Sequence, residues 1–330
     1  MNDTAPLRIG ILGAARIAPM ALVAPARRVP EAAIAAIAAR DVAKARRFAT
    51  KHGIAKVHDS YDALLADPGI DAVYNPLPNG LHCEWTIRAL RAGKHVLCEK
   101  PIASNEDEAA RMAEAARETG RALVEAFHWR YHPLATRMQA ILASGAIGAP
   151  RHYEAWFAIP LVMRGDIRWR LDLAGGALMD TGCYPISMVR HLAGAEPEVV
   201  SAKALLRAPG VDRRVEAELR FADGRTAKIG CSMWSSTLLR VGLRVTGERG
   251  EMRVLNPLAP HLWHRLRVTS PGGTTTERIA GESTYTHQLR AFVDHVRRGT
   301  PVPTGAQDGV ANMRVIDAIY RAAGLRPRGT

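Results

Sequence analysis

The sequence predicts an α/β chain in two parts: a doubly wound parallel sheet over residues 1–127, then an α+β part over 128–330 with an open, mostly antiparallel sheet. Three observations predict it. Near-continuous apolar runs alternate with helix-patterned stretches as far as residue 127, as in a parallel sheet covered on both faces. From about 198 to 269, strand-like runs follow one another with no helix between them. The first apolar run also opens directly into a Gly/Ala turn and a helical stretch, the start of a mononucleotide-binding unit.

The elements follow in order. Residues 7–13 form a short apolar strand, and a helical stretch runs on to about Arg28. Residues 33–39 (Ala-Ile-Ala-Ala-Ile-Ala-Ala) read as a buried strand and 41–52 as a helix. Strands near 71–75, 94–98 and 122–127 alternate with helices near 80–92 and 104–119, and Ser104 to Asp107 has capping-box composition. After Pro133, helices over 133–144 and 176–193 flank a strand near 150–158. Strands then cover 198–207, 213–221, 225–234, 238–246, 250–255 and 263–269. Gly210, Asp223-Gly224, Gly247 to Gly250 and Gly272-Gly273 mark the turns between them. Helices over 285–298 and 305–323 close the chain. Helices therefore cover one face of the second sheet, and a second subunit is the simplest cover for the other. This predicts a homodimer or homotetramer through that sheet.

Composition narrows the function classes. The four cysteines, Cys83, Cys98, Cys183 and Cys231, are scattered without Cys-x-x-Cys or Cys/His clusters, which predicts a reducing compartment and no metal site. The start Met1-Asn2-Asp3-Thr4-Ala5-Pro6 lacks the positive region of a signal peptide, and no apolar run approaches a membrane span. A cytoplasmic enzyme is expected. The net charge of +13 raises nucleic acid as a partner, but the basic residues are dispersed pairs such as Arg27-Arg28 and Arg213-Arg214 rather than one stripe. A solvated basic surface that attracts anionic ligands accounts for them.

The turn Gly13-Ala14-Ala15-Arg16-Ile17-Ala18 carries the phosphate-binding pattern with Ala15 where the second glycine is usual, and Gly10 lies in the strand before it. At the end of the second strand the chain reads Ala38-Ala39-Arg40-Asp41, with Lys44 one turn on. A guanidinium there matches a ribose 2′-phosphate. Asp41 turned inward would instead serve NAD, so NADP is favoured over NAD.

Two stretches carry the chemistry. Leu97-Cys98-Glu99-Lys100-Pro101 puts a lysine at the carboxyl edge of an apolar strand, where ligands of such sheets sit. Gly175-Gly176-Ala177-Leu178-Met179-Asp180-Thr181-Gly182-Cys183-Tyr184 puts an aspartate and a phenol four apart at a helix start, hence on one face. A phenol with its ordinary pKa near 10 needs about 4 kcal/mol of help to lose a proton near pH 7, and a nearby ammonium supplies much of it. The assignment is Tyr184 as proton donor or acceptor, Lys100 as its electrostatic partner and Asp180 as a clamp on a neighbouring hydroxyl. Each has a plainer reading: a solvated lysine, a helix-capping aspartate, a core tyrosine. Tyr153, Trp156, Arg168 and Trp169 precede this helix and are candidates for a substrate-stacking wall.

These motifs, with Leu77-Pro78-Asn79-Gly80-Leu81-His82 and Trp129-Arg130-Tyr131-His132-Pro133, resemble the Gfo/Idh/MocA family nearly end to end. Tyr184 stands where many relatives have histidine, as in the branch holding glucose-fructose oxidoreductase, dimeric dihydrodiol dehydrogenase and NADP-dependent xylose dehydrogenase. The resemblance implies a Rossmann domain and an NAD(P)-dependent oxidoreductase acting on an alcohol or carbonyl carbon of a sugar or polyol. It also implies a cis peptide before Pro101. Cofactor contacts are implied for Leu77, Pro78, Asn79, His82, Glu99, Lys100, Trp129, Arg130 and Tyr285. Alternatives within it are a trans-dihydrodiol dehydrogenase, a sugar-ketone reductase and an NADP-binding regulator that has lost its chemistry. The last has no use for the Lys100, Asp180 and Tyr184 set.

Overall fold

Strand β1 (Leu7–Leu12) has the burial pattern of a sheet covered on both sides, with every residue buried except Arg8. That arginine reaches Asp71, donating from Nε and Nη2 at 2.9 and 2.7 Å. The structure, a computed structural model, describes residues 5–163 and 165–330. It divides into two compact units.

The first unit holds β1, β2 (Ala32–Ala38), β3 (Lys56–His58), β4 (Ala72–Asn75), β5 (His95–Cys98) and β6 (Leu123–Glu125) in the order β3-β2-β1-β4-β5-β6. All of these pairs are parallel. Its helices are α1 (Ala24–Ala26), preceded by a π-helical turn over Pro19–Val23, then α2 (Val42–His52), α3 (Tyr61–Leu65), α4 (His82–Arg91) and α5 (Glu106–Thr119). The strand order reverses between β1 and β4, and in such sheets ligands bind beyond the carboxyl ends at that reversal.

The second unit begins with α6 (Pro133–Ala143) and β7 (Pro150–Ala158). A π-helical turn over Leu178–Gly182 leads into α7 (Cys183–Ala193). The strands β8 (Glu198–Ala208), β9 (Val211–Arg220), β10 (Thr226–Ser232), β11 (Arg240–Gly247), β12 (Glu251–Leu255), β13 (Arg265–Ser270) and β14 (Gly273–Glu277) follow. With β7 they form one sheet in the order β14-β13-β12-β11-β7-β10-β9-β8. Its described pairs are antiparallel except β7 with β10. Helix α8 (Thr284–Arg298) and α9 (Ala306–Ala322) complete the chain.

Several local expectations change. The stretch after Gly13 begins as a π-helical turn rather than a regular helix. β3, α3 and β14 are too short or too polar to announce themselves, and Gly273 starts a strand rather than ending a turn. Helix α5 starts at Glu106, whose amide donates to Asp317 Oδ2 at 3.0 Å, so a carboxylate from α9 stands at the helix entrance. Residues 285–310 pack with the first unit, although they follow the second sheet in sequence. The cause is apolar: Leu289, Phe292 and Val293 of α8 are buried in the cluster that holds Leu7, Ile9 and Ala126. Among the described residues no helix is long and apolar enough to cross a membrane.

Candidate active site

Gly13 follows β1 with φ +90°, and a Cβ there would stand 3.0 Å from Leu77 Cδ2. Its amide donates to the Ala38 carbonyl at 2.6 Å, tying the turn to the end of β2. Only glycine combines that backbone with that closeness. Gly10 packs on Leu64 inside the strand. Past the turn, Ala14 is buried, Ala15 and Ile17 are half-buried and Arg16 is exposed.

At the end of β2 the two candidate ribose ligands part. The Asp41 carboxylate accepts from the Lys44 amide at 3.0 Å and caps α2, so it is engaged on its own helix. Arg40 and the Lys44 side chain are exposed beside it. A guanidinium in that place suits a 2′-phosphate, and a carboxylate already used as a cap does not serve a 2′-hydroxyl.

Lys100 follows β5, half-buried, and its peptide bond to Pro101 is cis. Glu99 is buried, accepts from the Tyr74 hydroxyl at 2.6 Å and raises the Tyr285 phenol together with burial, the larger effect. Tyr285 lies 4.1 Å from the His128 ring, centre to centre, and Trp129 beside it is only 1% exposed. Arg130 is held by Asp308 at 2.9 Å. Leu77 is buried, while Pro78 and Asn79 are half-buried at the loop after β4.

His82 is not placed to touch a cofactor. It is fully buried, with Nδ1 2.9 Å from the Pro101 carbonyl and Nε2 2.7 Å from the Leu77 carbonyl. Carbonyls at both nitrogens would suit an imidazolium, but burial, aided by the Lys100 ammonium, holds its pKa down to about 4. The neutral ring donates from one nitrogen and fastens the loop after β4 to the segment carrying Lys100. A histidine whose folded pKa is depressed contributes stability that is present above its ordinary value near 6.5 and is lost as pH falls toward about 4. Burial depresses His95 in the same direction. The denaturant midpoint should therefore drop between about pH 7 and pH 5, with His82 contributing up to about 2 kcal/mol over that interval. A midpoint that stays flat across that interval would contradict the assignment.

In the second unit, the turn that carries Asp180 is fixed by a buried network. Asp212 of β9 is fully buried, accepts from the Leu178 amide at 2.7 Å and from the Tyr320 hydroxyl at 3.0 Å, and pairs with Arg328 at 2.5 Å. Arg328 also donates to the Gly175 carbonyl at 2.8 Å. Gly176 has φ +132°, and a Cβ on it would overlap the Asp212 carboxylate. Burial pushes the Asp212 carboxyl up, and the Arg328 charge works against that. Nothing in the sequence joins residues 212, 320 and 328, and this network was not anticipated.

Asp212, not Asp180, takes the amide at the helix start. Asp180 lies inside the π-helical turn, where its own amide donates to Gly176 O at 3.1 Å, and its carboxylate meets Arg168 Nε at 3.2 Å. Tyr184, 6% exposed, packs edge-on against Phe157 at 5.5 Å between ring centres.

The proposed stacking wall does not hold together. Phe157 faces α7, so the strand's alternation turns Trp156 to the opposite face, where the Arg240 guanidinium covers it at 3.7 Å. Tyr153 is a core residue, 1% exposed, whose hydroxyl accepts from Arg225 Nη1 at 2.7 Å. Arg168 stays beside Asp180, and buried Trp169 lies under the Arg207 guanidinium at 4.4 Å.

Residues 7–127 match the oxidoreductase family with an NAD-binding Rossmann fold, and residues 135–253 match the GFO/IDH/MocA C-terminal domain. The chain belongs to the Gfo/Idh/MocA family of oxidoreductases. It is 36% identical over 318 residues to a D-xylose 1-dehydrogenase (NADP(+)) of Haloferax volcanii, covering 96% of this chain and 97% of that one. It is 37% identical over 333 residues to a dTDP-3,4-didehydro-2,6-dideoxy-alpha-D-glucose 3-reductase of Streptomyces violaceoruber, covering 97% and 96%. A 3-ketoreductase from Actinomadura kijaniata, solved with NADP and TDP-benzene, superposes with a TM-score of 0.90 at 32% identity over 97% of this chain and 98% of that one. Family membership accounts for the order of the motifs.

Proposed function

We propose that this Gfo/Idh/MocA oxidoreductase uses NADP and acts at an alcohol or carbonyl carbon of a sugar or related polyol. The observation that carries the reading is the anchored turn that holds Asp180 and Tyr184 four residues apart, in a chain whose Rossmann strand β5 leads into Lys100. A bound nicotinamide supplies the site that accepts or gives the hydride. Tyr184 moves the hydroxyl proton of the reacting carbon, Lys100 favours its phenolate form, and Asp180, oriented by Arg168, receives a neighbouring hydroxyl. Turnover of aldoses and keto-sugars, followed by nicotinamide absorbance with each cofactor, tests it. No turnover of any of them with either cofactor would remove the reading.

The cofactor choice rests on Arg40 and on the engagement of Asp41 as a cap. NADP should bind more tightly than NAD, and Arg40→Ala should narrow the gap by about 1.5–3 kcal/mol, the worth of a hydrogen bond to a charged group. Equal affinities for the two cofactors in the unaltered protein would refute it.

The assembly we propose is a homodimer or homotetramer through the second unit's sheet. The face bearing Trp156 carries a groove of about 500 Å³ lined by Leu239, Leu262 and Trp263, which are 69%, 74% and 54% exposed. Monomers rarely expose such a surface. Light scattering at micromolar concentration should give a multiple of the chain mass, and a monomer would overturn it. The four cysteines are buried and form no disulfide among the described residues, in keeping with a proposed cytoplasmic setting.

A further inference from the structure

The carboxyl edge of the first unit's sheet holds a phenol outside the residues already assigned. β3 pairs in parallel with β2, His58 beside Ala38, so the chain after β3 leaves the sheet at the same edge as Arg40. Two residues on, the Ser60 hydroxyl accepts from the Ala63 amide at 3.0 Å and opens α3, which makes Tyr61 its first residue. Ala38 and Ala39 carry no polar side chain, so a second donor beside Arg40 has to come from this neighbouring exit.

The Tyr61 hydroxyl returns to the turn after β1. A Cβ on Gly13 would meet it at 3.7 Å, and the Gly13 amide itself holds the Ala38 carbonyl at 2.6 Å. The phenol therefore stands where the first turn and the end of β2 come together. Its ring is braced: Trp85 of α4 meets it edge-on at 4.7 Å between ring centres, and Arg88 covers the indole at 4.3 Å while pairing with Asp62. Burial raises the Tyr61 phenol above its ordinary pKa, and the Arg40 amide and guanidinium work against that. The hydroxyl keeps its proton at neutral pH and is a donor beside a cation. Such a pair suits a phosphate, whose charge strengthens both contacts, far better than an uncharged ribose hydroxyl.

We propose that Tyr61 is a specificity-determining residue of the cofactor site, its hydroxyl donating to the ribose 2′-phosphate that the Arg40 guanidinium pairs with. The proposal rests on the NADP reading and deepens it. Lying against the Arg40 amide, the phenol also steadies the backbone from which the guanidinium reaches. NAD, which lacks the 2′-phosphate, has no use for this hydroxyl.

The test is titration of four ligands into the full chain: NADPH and NADH by fluorescence, adenosine 2′,5′-bisphosphate and adenosine 5′-monophosphate by calorimetry. Tyr61→Phe keeps the ring against Trp85 and removes only the hydroxyl. It should weaken NADPH and the bisphosphate about tenfold, in keeping with the loss of a hydrogen bond to a charged group, and leave NADH and the monophosphate within about twofold. Arg40→Ala should weaken the same two ligands. The double variant should lose less than the product of the two single losses, because both groups act on one phosphate. An equal loss for all four ligands would make Tyr61 a support of the sheet edge and overturn the proposal. A Tyr61→Phe protein that keeps its full preference for NADPH, where Arg40→Ala removes it, would overturn the proposal and leave the NADP reading standing. Equal affinities of the unaltered chain for NADPH and NADH would remove both.

Discussion

Tyr184→Phe should lower turnover about 100- to 10,000-fold while leaving folding and cofactor affinity unchanged, the usual worth of a positioned acid or base. The ring packs edge-on against Phe157, and phenylalanine keeps that contact while removing only the hydroxyl. Lys100→Met should also lose rate and, in the reducing direction where Tyr184 donates the proton, should move the basic limb of the pH–rate dependence upward, because the cation that favours phenolate is gone. The double variant should be little worse than the poorer single one, since a relay missing one member has little left to lose. A Tyr184→Phe enzyme within a few-fold of the normal rate would return Tyr184 to the core. It would also move the search to Tyr285 or His287 at the start of α8. His82 is excluded from that search by the two carbonyls that occupy its ring.

Arg328→Met should cost about 3–5 kcal/mol of stability, the range for leaving one member of a buried ion pair without its partner. Asp212 is fully buried and Arg328 is 2% exposed, so water cannot replace the lost charge. That is a large share of the 5–15 kcal/mol that holds an ordinary domain folded. Because Arg328 grips the Gly175 carbonyl and Asp212 grips the Leu178 amide, the same change loosens the turn bearing Asp180. Activity should therefore fall even below the unfolding transition. Asp212→Asn should cost a similar amount, since the amide keeps an acceptor for Leu178 but leaves the buried Arg328 guanidinium without its counter-charge. Denaturant titration reads the first effect, and a loss under about 1 kcal/mol for Arg328→Met would show that the pair is not holding the turn.

The parts of this chain that were legible in its sequence are those with a local physical cause. Strands buried on both faces announce themselves as apolar runs, as the Ala-Ile repeat of β2 does. Glycine at a position with φ +90° marks the first turn, and Arg40 beside Asp41 marks the cofactor question. The parts that were not legible depend on pairings across the chain. The role of α8 in the first unit's core follows from Leu289 and Phe292 meeting Leu7 and Ile9, which no local pattern specifies. Asp212, Tyr320 and Arg328 are meaningful only once β9, α9 and the last residues come together.

The stacking wall failed for a different reason. Tyr153 and Trp156 belong to one strand, and an odd separation along a strand puts two side chains on opposite faces. That parity was available from the sequence once β7 was read as a strand over 150–158. His82 shows the converse case. A histidine in a family motif is easily taken for a ligand, and only its burial between two carbonyls shows it to be a strut.

The most direct test of the central claim is label transfer. A sugar substrate carrying deuterium on its reacting carbinol carbon is incubated with the protein and NADP, and the reduced cofactor is examined by mass spectrometry. The account predicts one deuterium per nicotinamide formed, and almost no product from the Tyr184→Phe protein in the same time. Reduced cofactor without deuterium, or labelled product formed at the normal rate by Tyr184→Phe, would contradict it.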